Sequence, residues 1–293
     1  MNRVLTSFLI VSFIVTSCAQ KKNHDYVITI KTNYGDMVAI LYDETPKHKA
    51  NFIKLAKEKY YDSLLFHRVI EEFMIQGGDP NSKKAQPGQS LGNGGPGYTV
   101  DAEFNPKFFH EKGAFSAARL GDQANPTKAS SGSQFYIVQG KKFSDDELTQ
   151  LEQAARYNRK NQALREVLFM PEYESVRNLV IRKQQEGDGE WLGAFFEKSD
   201  TLIQKVKKDY REFSFSNEQK TRYKEVGGSP HLDGDYTVFG KVIKGLEVID
   251  KIAAVQKGPG DRPAEDIRMF ITVEEMPKAK IEKTYGYKYP ESK

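Results

Sequence analysis

The sequence predicts a mainly β domain with helices, interrupted by an α-helical insertion. Short apolar segments separated by turn residues fill residues 26–140 and return in residues 227–276. Between them, residues 141–226 are rich in Glu, Lys, Gln and Arg, and their apolar residues recur at helical spacing. A chain of 293 residues is long enough for one large domain or two ordinary ones. We therefore expect a β-rich domain and a separate helical segment inserted into it.

The first residues of the chain predict a secretory signal peptide. Arg3 precedes an apolar stretch from Val4 to Val15. This stretch is too short to span a bilayer, but a short apolar run behind a basic residue is typical of an export signal. We therefore expect residues 1–17 to be a signal peptide that is removed from the mature protein.

Cys18, the only cysteine, directly follows this signal. The segment Val15-Thr16-Ser17-Cys18 resembles a bacterial lipobox, in which the cysteine receives diacylglycerol and becomes the first residue of the mature protein. A buried structural thiol is the alternative, and the signal-like run before Cys18 argues against it. We expect a lipid anchor on Cys18 and a polar tether over residues 18–25. The expected location is the bacterial cell envelope, on the periplasmic side of the inner or outer membrane.

Residues 26–140 are predicted to form strands and one helix. A hairpin is expected around "NYGD", because Asn33 and Gly35 suit a tight turn between two apolar segments. The segment "TPKHKANFIKLAKEKY" predicts a helix, with Thr45 as its cap and Pro46 at its first position. Further strands are expected at "LLFHRVI", "FMIQGG", "GAFSAARLG" and "GSQFYIVQG".

Gly92, Gly94 and Gly97 form a Gly-x-Gly-x-x-Gly pattern of the kind found in dinucleotide-binding loops. Pro96 interrupts the pattern, and the strand-like segment "YTVDAEF" follows it in place of a helix. Because the context for phosphate binding is missing, we expect a surface loop that is mobile or comes close to another part of the chain.

The insertion, residues 141–226, is predicted to contain two to four helices. Ser144 and Glu147 form a capping box at the start of the first helix. After the insertion, strand chemistry resumes at "GGSPHLDGDYTVFGKVIKG", a helix is expected at "LEVIDKIAAV", and a last strand at "IRMFITVEEM". Residues 277–293 are expected to be a polar tail.

Charge and ligand composition argue against two classes of function. Lys and Arg exceed Asp and Glu by four, which is too small a bias to indicate a nucleic-acid partner. The five histidines are scattered along the chain, and the one cysteine is expected to carry lipid. This pattern offers no chelating spacing, so we expect no metal site and no cofactor.

The segment "FHRVIEEFMIQGGDP", residues 66–80, indicates a different chemistry. Arg68 keeps its proton at any working pH, so it cannot be a general base or acid and acts by donating hydrogen bonds. It lies close to Phe73 and Met74, and the apolar run ends at the amide of Gln76. We therefore expect Arg68 to act as a permanent hydrogen-bond donor beside an apolar run.

Three segments together resemble one family. The segments "FHRVIEEFMIQGGDP", "GSQFYIV" and "LDGDYTVFGKVIKGLEVIDKI" are similar, in order, to the signatures of the cyclophilins, which are peptidyl-prolyl cis-trans isomerases. The resemblance covers about residues 26–140 and 227–276. It implies a closed antiparallel β-barrel of eight strands capped by two helices. It also implies an enzyme that accelerates rotation about X-Pro bonds in proline-containing peptides and in unfolded exported proteins.

The resemblance implies a role for each matching residue. Arg68 would be the catalytic donor, Gln76 would orient it, and Phe73 would complete the catalytic group. The pocket for the proline ring would be formed by Phe73, Met74, Tyr136 and Leu232. The peptide on either side would be held by the backbone of Ala118 and Arg119 and by the side chain of Gln134, with His67 and Tyr236 beside the pocket. Taken alone, each of these apolar residues is more often ordinary core, but Arg68 and Gln76 at the matching offsets favour a pocket for the set.

Three positions depart from the family's pattern. Tyr136 stands where many members have Phe, so its additional hydroxyl must find a partner or water. Arg119 replaces a common Asn, which matters little if the backbone makes the contact. His231 stands where cyclosporin-sensitive members have Trp, which predicts weak binding of cyclosporin.

Two other classes of function compete with an isomerase. A non-catalytic proline-peptide-binding module or chaperone would use the same groove without turnover, and the retained Arg68 argues against it. A hydrolase would need a nucleophile and its partners, but Ser131, Ser133, His67 and Asp79 lack the sequence context of a triad. The insertion is either a solvated decoration or a wall that binds client proteins, the latter suggested by its aromatic residues Trp191, Phe195, Phe196 and Tyr210.

Overall fold

The computed structural model describes residues 23–290, which form two units. Of these, residues 23–141 and 226–290 form one unit, and Lys142–Glu225 form the other. The predicted signal peptide, Cys18 and the start of the tether lie outside the described residues. No helix among residues 23–290 has both the length and the apolar character that crossing a bilayer requires.

The first unit is built on a closed antiparallel barrel of eight strands, as the resemblance implied. The expected hairpin around "NYGD" is present, because Thr32 pairs with Gly35 across a two-residue turn. In order around the barrel, the strands are β1 (His24–Thr32), β10 (Arg268–Pro277), β3 (Leu64–Ile70), β4 (Met74–Gly77), β8 (Phe135–Val138), β6 (Ala114–Ala117), β9 (Val238–Lys244) and β2 (Gly35–Leu41). A separate two-stranded ribbon pairs β5 (Thr99–Val100) with β7 (Ser130–Ser131).

The inward-facing side chains of the strands form an apolar core. Its centre is aromatic: the rings of Phe115 and Phe135 stack with centroids 4.8 Å apart, and Phe52 and Phe239 meet them edge-on. Side chains that alternate with these point out of the barrel, as the two-residue period of a strand requires. On the outer face, Met74, Tyr136 and Leu232 belong to a second apolar cluster, separate from the barrel core.

Two helices complete this core. Helix α1 (Pro46–Lys57) buries Phe52 and Leu55, and helix α7 (Leu246–Ala253) buries Ile249 and Ile252, all within the same apolar cluster. Both helices were predicted from their apolar spacing. Each helix buries its apolar face against the barrel core. This burial stabilises the two amphipathic segments as helices.

Thr45 occupies the N-cap position of α1 as expected, but its side chain does not cap the helix. The hydroxyl of Thr45 donates to the carbonyl oxygen of Tyr42 and makes no capping bond to the helix. The carboxylate of Glu103 instead accepts the backbone N–H groups of Lys47 and His48, at 3.0 Å each. Because an acidic group is stabilising at a helix N-terminus, a residue far away in sequence does what the local threonine was expected to do.

The expected polar tail is partly structured. Residues Lys278–Tyr285 form helix α8, and Ile281 is fully buried. Ile281 packs with Val27, Ile40 and Met276 on the outside of the barrel. Ile281 is the only large aliphatic residue between Lys278 and Tyr285, which gives little periodic signal, so this helix was missed.

The second unit, Lys142–Glu225, contains helices and irregular segments but no strand. It contains more helices than the two to four expected: α2 (Asp145–Leu168), α3 (Glu174–Gln185), α4 (Gly189–Lys198), α5 (Asp200–Val206) and α6 (Asn217–Glu225). The capping box of Ser144 and Glu147 is present as predicted. Asp188 caps α4 by accepting from the N–H of Trp191, and such polar breaks divide the segment into short helices.

The aromatic residues of the second unit mostly serve its own core. Phe195, Phe196 and Tyr210 pack against a buried cluster that includes Leu164 and Ile203. The ring of Trp191 stacks on that of Phe195, with centroids 5.2 Å apart. Their packing weakens the argument that these aromatic residues form a surface for client proteins, since three of them hold this unit together.

Candidate active site

A β-bulge in β3 turns Arg68 to the outside of the barrel. Phe66 lies opposite Gly77 and Arg68 lies opposite Gln76, so β3 advances by two residues while β4 advances by one. The additional residue reverses the alternation of side chains. Phe66 and Val69 consequently both point into the core and are fully buried, whereas the Arg68 side chain between them is 40% exposed.

The guanidinium of Arg68 begins a directed chain of hydrogen bonds. Its Nη1 donates to Gln76 Oε1 at 3.4 Å, and Gln76 Nε2 donates to Gln134 Oε1 at 3.0 Å. Gln134 Nε2 in turn donates to the carbonyl oxygens of Gly92 and Gly94, at 2.8 and 2.7 Å. Because an arginine can only donate, both amides have one possible orientation, and Gln76 holds an oxygen towards Arg68.

The glycine-rich loop is tied to the barrel by Asp79. This fully buried carboxylate accepts the N–H groups of Asn81, Gly92 and Gly94, at 2.8, 2.6 and 3.2 Å. A Cβ at position 94 would lie 2.0 Å from Asp79 Oδ1, so glycine is required there. The sequence predicted a loop that is mobile or comes close to another part of the chain. The structure shows the close approach, to Asp79.

Arg68 lies at the edge of a small pocket, which we call the Arg68 pocket, with a volume of about 110 Å³. Its lining residues are Arg68, Phe73, Met74, Gln76, Ala118, Arg119, Tyr136, Leu232 and Tyr236. All nine were selected as site residues from the sequence. The structure therefore brings together residues that are distant along the chain, with an apolar floor and a single exposed cation at the edge.

Two selected residues lie next to the Arg68 pocket and do not line it. His67, the additional residue of the bulge, is buried and lines a larger cavity of about 850 Å³ on the other side of Arg68. Gln134 lines a cavity of about 830 Å³ beneath the glycine-rich loop. Both larger cavities share Gln76 and Arg119 with the Arg68 pocket, so all three adjoin one another.

The side chain of Arg119 contributes more than the backbone contact expected of it. Its guanidinium carbon lies 4.3 Å from the centre of the Tyr236 ring, and its Nε donates to the Asp235 carbonyl oxygen at 2.8 Å. The Arg119 side chain is only 4% exposed. At Ala118, by contrast, the backbone N–H and C=O are already bonded to Gln134 and Ser131. Arg119 therefore fixes the Tyr236 ring at the edge of the Arg68 pocket.

The structure contains a serine–histidine–glutamate arrangement that sequence context did not indicate. His48 Nδ1 lies 2.7 Å from Glu103 Oε2, and His48 Nε2 lies 2.9 Å from Ser130 Oγ. His48 and Ser130 are both buried. The neighbouring cavity that His48 lines is only about 10 Å³, less than the space of one water. The arrangement cannot receive a substrate and serves to fix α1, so it does not support a hydrolase.

No group of three or more potential metal ligands occurs among residues 23–290. Sequence reasoning missed Asp79 as the anchor of the glycine-rich loop, and it missed His110 and Asp233, which lie behind Tyr136. The signals were weak: Asp79 follows Gly77 at the end of β4 and Gly78 after it, and only the hydroxyl of Tyr136 indicated a buried partner.

Comparison with known proteins gives a consistent assignment. The model of the family described as cyclophilin type peptidyl-prolyl cis-trans isomerase/CLD matches residues 27–157 and 199–273. A Staphylococcus aureus (strain USA300) protein named as a peptidyl-prolyl cis-trans isomerase is 31% identical over 250 residues, 85% of this chain and 91% of that protein. A Streptococcus pyogenes serotype M6 protein named as a bifunctional phosphatase/peptidyl-prolyl cis-trans isomerase is 33% identical over 243 residues. This second match covers 82% of the present chain and 37% of the streptococcal protein.

The solved structures that are similar to this chain are more distant in sequence. A cyclophilin type peptidyl-prolyl cis-trans isomerase of Cryptosporidium parvum is 21% identical, with a TM-score of 0.48 over 87% of this chain and 99% of that chain. A second crystal structure of it, in the presence of the dipeptide Ala-Pro, has a TM-score of 0.47 over 85% and 98% of the two chains. The assignment rests on the family model, which matches well over half of the residues, and on the staphylococcal relative: this chain belongs to the cyclophilin type peptidyl-prolyl cis-trans isomerases.

Proposed function

We propose that the protein catalyses the isomerisation of X-Pro bonds with Arg68, on a proline ring held in the Arg68 pocket. The observation that carries this proposal is the position of one exposed guanidinium at the edge of a pocket floored by Phe73, Met74, Tyr136 and Leu232. An apolar floor accepts the ring, and the cation lies beside the place where the proline nitrogen would be.

The chemistry requires only a well-placed donor. Rotation about the peptide bond has a barrier of about 18–20 kcal/mol, because the nitrogen lone pair is delocalised into the carbonyl. In the twisted transition state this delocalisation is lost and the proline nitrogen becomes a hydrogen-bond acceptor. A guanidinium that donates to it stabilises the transition state more than the ground state. A charge-assisted hydrogen bond of about 1.5–3 kcal/mol, with positioning, corresponds to roughly 10³-fold in rate.

Two contacts support a fixed orientation of Arg68. Gln76 accepts from one side of the guanidinium, and Asp261 Oδ2 lies 3.6 Å from its Nε. The pair with Asp261 is partly exposed, so it is worth little as a stabilising ion pair. Its proposed value is orientation, since it limits the rotation of the guanidinium away from the pocket.

The test is an isomerisation assay with X-Pro tetrapeptides. Wild-type protein should accelerate the reaction, and Arg68→Ala should lower kcat/KM at least tenfold while the fold persists. Arg182→Ala is the matched control, because this arginine is 66% exposed and lies in the helical unit. A folded protein that binds the peptide without accelerating its isomerisation would instead support a non-catalytic binding module or chaperone.

We also propose that the protein is a lipoprotein of the bacterial cell envelope and acts on unfolded exported proteins. The support is the signal-like stretch before Cys18, which lies outside the described residues. In cells, Cys18→Ser should abolish lipid labelling and release the protein from the membrane fraction. A serine variant that stays in the membrane without label would contradict the lipid anchor and point to an uncleaved helix.

A further inference from the structure

The hydroxyl of Tyr136 is bonded to a buried histidine outside the Arg68 pocket. Tyr136 Oη lies 2.9 Å from His110 Nε2, and His110 Nδ1 lies 2.9 Å from Asp233 Oδ1. His110 is completely buried and Asp233 is 6% exposed. Neither residue lines the Arg68 pocket, so the histidine lies behind the tyrosine ring, on the side away from the pocket.

The chemistry of the three groups assigns one direction to these bonds. The carboxylate of Asp233 can only accept, and it also accepts the backbone N–H of His110 at 2.9 Å. In the neutral imidazole the proton is therefore on Nδ1, and Nε2 is the acceptor. Burial raises the pKa of the Tyr136 hydroxyl well above its ordinary value, so this group keeps its proton and donates to His110. Tyrosine donates to histidine, and histidine donates to aspartate.

The position of the Tyr136 ring matters for the whole site. Tyr136 on β8 is paired with Gln76 on β4, and Gln76 is paired with Arg68 on β3. The edge of its ring meets the Tyr236 ring, with centroids 6.1 Å apart, and Arg119 covers that second ring. A displacement of Tyr136 would therefore change the floor of the Arg68 pocket. It would also disturb Tyr236 at the edge of the pocket and Gln76 beside Arg68.

We propose that His110 is a positioning residue for substrate binding: by accepting the hydroxyl of Tyr136, it keeps this ring flat against the Arg68 pocket. This inference rests on the proposed function, because it concerns the same pocket. The requirement for His110 arises from the hydroxyl alone. A phenylalanine ring at position 136 has no polar group to bury, so it needs no acceptor behind the pocket.

The proposal is tested by removing His110 in two backgrounds. His110→Leu is made in the full-length chain and again together with Tyr136→Phe, with the protein solubilised in mild detergent. KM and kcat for an X-Pro tetrapeptide, and the Kd of the same peptide by NMR titration, are measured for each pair. Removing the imidazole also takes a partner from Asp233, but that effect is common to both backgrounds and cancels in the comparison.

In the wild-type background, His110→Leu should raise KM and Kd at least fivefold and change kcat less than twofold. In the Tyr136→Phe background the same substitution should change KM and Kd less than twofold. An effect of equal size in both backgrounds would overturn the proposal, because His110 would then act only through the fold. Absence of turnover in wild type would refute the proposed function, while the Kd values would still test the role of His110.

A second measurement covers the case in which His110→Leu does not fold. In the protein labelled with ¹⁵N-histidine, Tyr136→Phe should shift the Nε2 resonance of His110 and leave the protonated Nδ1 resonance nearly unchanged. An Nε2 resonance that does not respond to the loss of the hydroxyl would show that the bond is not made, and the proposal would fail.

Discussion

His67 is the additional residue of the bulge that turns Arg68 to the outside of the barrel. Its own imidazole is buried, which disfavours the charged form. It is 3% exposed, and neither of its ring nitrogens has a hydrogen-bond partner in the described part of the chain. Burial lowers its pKa to about 4; Asp79 opposes this shift, while Arg68 and Arg262 add to it. The imidazole is therefore neutral in the folded protein under conditions in which the unfolded chain would begin to protonate it.

This difference predicts that the protein loses stability in mild acid. The pKa of His67 is about 4 in the folded state and about 6.5 in the unfolded chain, so the unfolded state binds more protons between these values. The free energy of unfolding should fall as the pH drops from 6.5 towards 4, by up to about 1.4 kcal/mol per pH unit from this residue. His48, whose pKa is also lowered chiefly by burial, adds to the slope. Urea unfolding at pH 7 and pH 5 measures it.

A variant separates His67 from the other groups that titrate in this range. His67→Gln removes the titration and should flatten the pH dependence, whatever it does to stability at pH 7. A slope that is the same in wild type and variant would show that His67 does not contribute. Activity is not the readout, because His67 lies next to Arg68.

At single positions, the sequence predicted identities better than contacts. Tyr136, Tyr236 and Arg119 were each selected from motifs, but nothing in the sequence indicated that they touch one another in a line from the pocket floor to its edge. Tyr136 and Tyr236 are a hundred residues apart, and their contact depends on strand register, which no local pattern specifies. The acceptor of the Tyr136 hydroxyl was unknown for the same reason.

At the scale of elements, the glycine-rich loop is organised by one carboxylate. Asp79 accepts two of its N–H groups, and Gln134 donates to two of its carbonyl oxygens. The same Gln134 accepts from Gln76, and Gln76 accepts from Arg68. The order of the loop and the orientation of Arg68 are thereby linked.

We predict that Asp79→Asn loosens this loop and lowers activity. The NH2 group of the asparagine cannot accept from the N–H groups that the carboxylate now binds. We expect the free energy of unfolding to fall by about 1–3 kcal/mol. Hydrogen exchange at Gly92 and Gly94 should become faster, and kcat/KM should fall several-fold. Asp101→Asn is the control, since that carboxylate is 79% exposed and pairs with Lys47 at the surface. Unchanged exchange at both glycines would contradict this account of the loop.

Elements were predicted where the signal is local and missed where it is not. Pro46 and the apolar spacing that follows it sufficed for α1. The cap of α1 comes from Glu103, 55 residues beyond His48, and no sequence rule connects the two. The bulge in β3 was likewise unpredictable, because "LLFHRVI" shows no irregularity until its pairing with β4 is known.

At the scale of the whole molecule, the chain segments at the two ends of the insertion are paired with each other. Both segments belong to the barrel unit. Lys141 and Gly228 pair as an antiparallel bridge, with backbone bonds of 3.3 and 2.9 Å in the two directions. The chain therefore leaves and returns at neighbouring points. A short linker can replace the helices without straining the barrel.

We predict that replacing residues 142–226 with a short Gly-Ser linker leaves activity on tetrapeptides near normal, because every residue lining the Arg68 pocket lies outside this segment. Activity on an unfolded protein whose refolding is limited by proline isomerisation should be reduced if the insertion binds clients. Equal retention of both activities would leave the insertion as a decoration. Loss of tetrapeptide activity in a folded deletion protein would show that the insertion builds part of the active site.

The barrel was predicted from a resemblance and not from patterning. Short apolar segments indicate strands, but closure depends on pairs such as β1 with β10, which are more than 230 residues apart. The three signature segments specify that topology only because they are similar to those of a known family. The three signature segments do not extend into the helical unit, and the number of its helices was underestimated.

The central claim is that Arg68 acts on the transition state and contributes little to binding. The most direct measurement compares the Kd of an X-Pro peptide with its catalysed isomerisation rate, both by NMR, in wild type, Arg68→Ala and Arg68→Lys. For Arg68→Ala, we predict a Kd within about threefold of wild type and a kcat/KM lowered at least tenfold. For Arg68→Lys, we predict a kcat/KM between those of wild type and Arg68→Ala, because lysine keeps the charge and loses the planar donor. A folded Arg68→Ala protein that isomerises the peptide as fast as wild type would contradict the account.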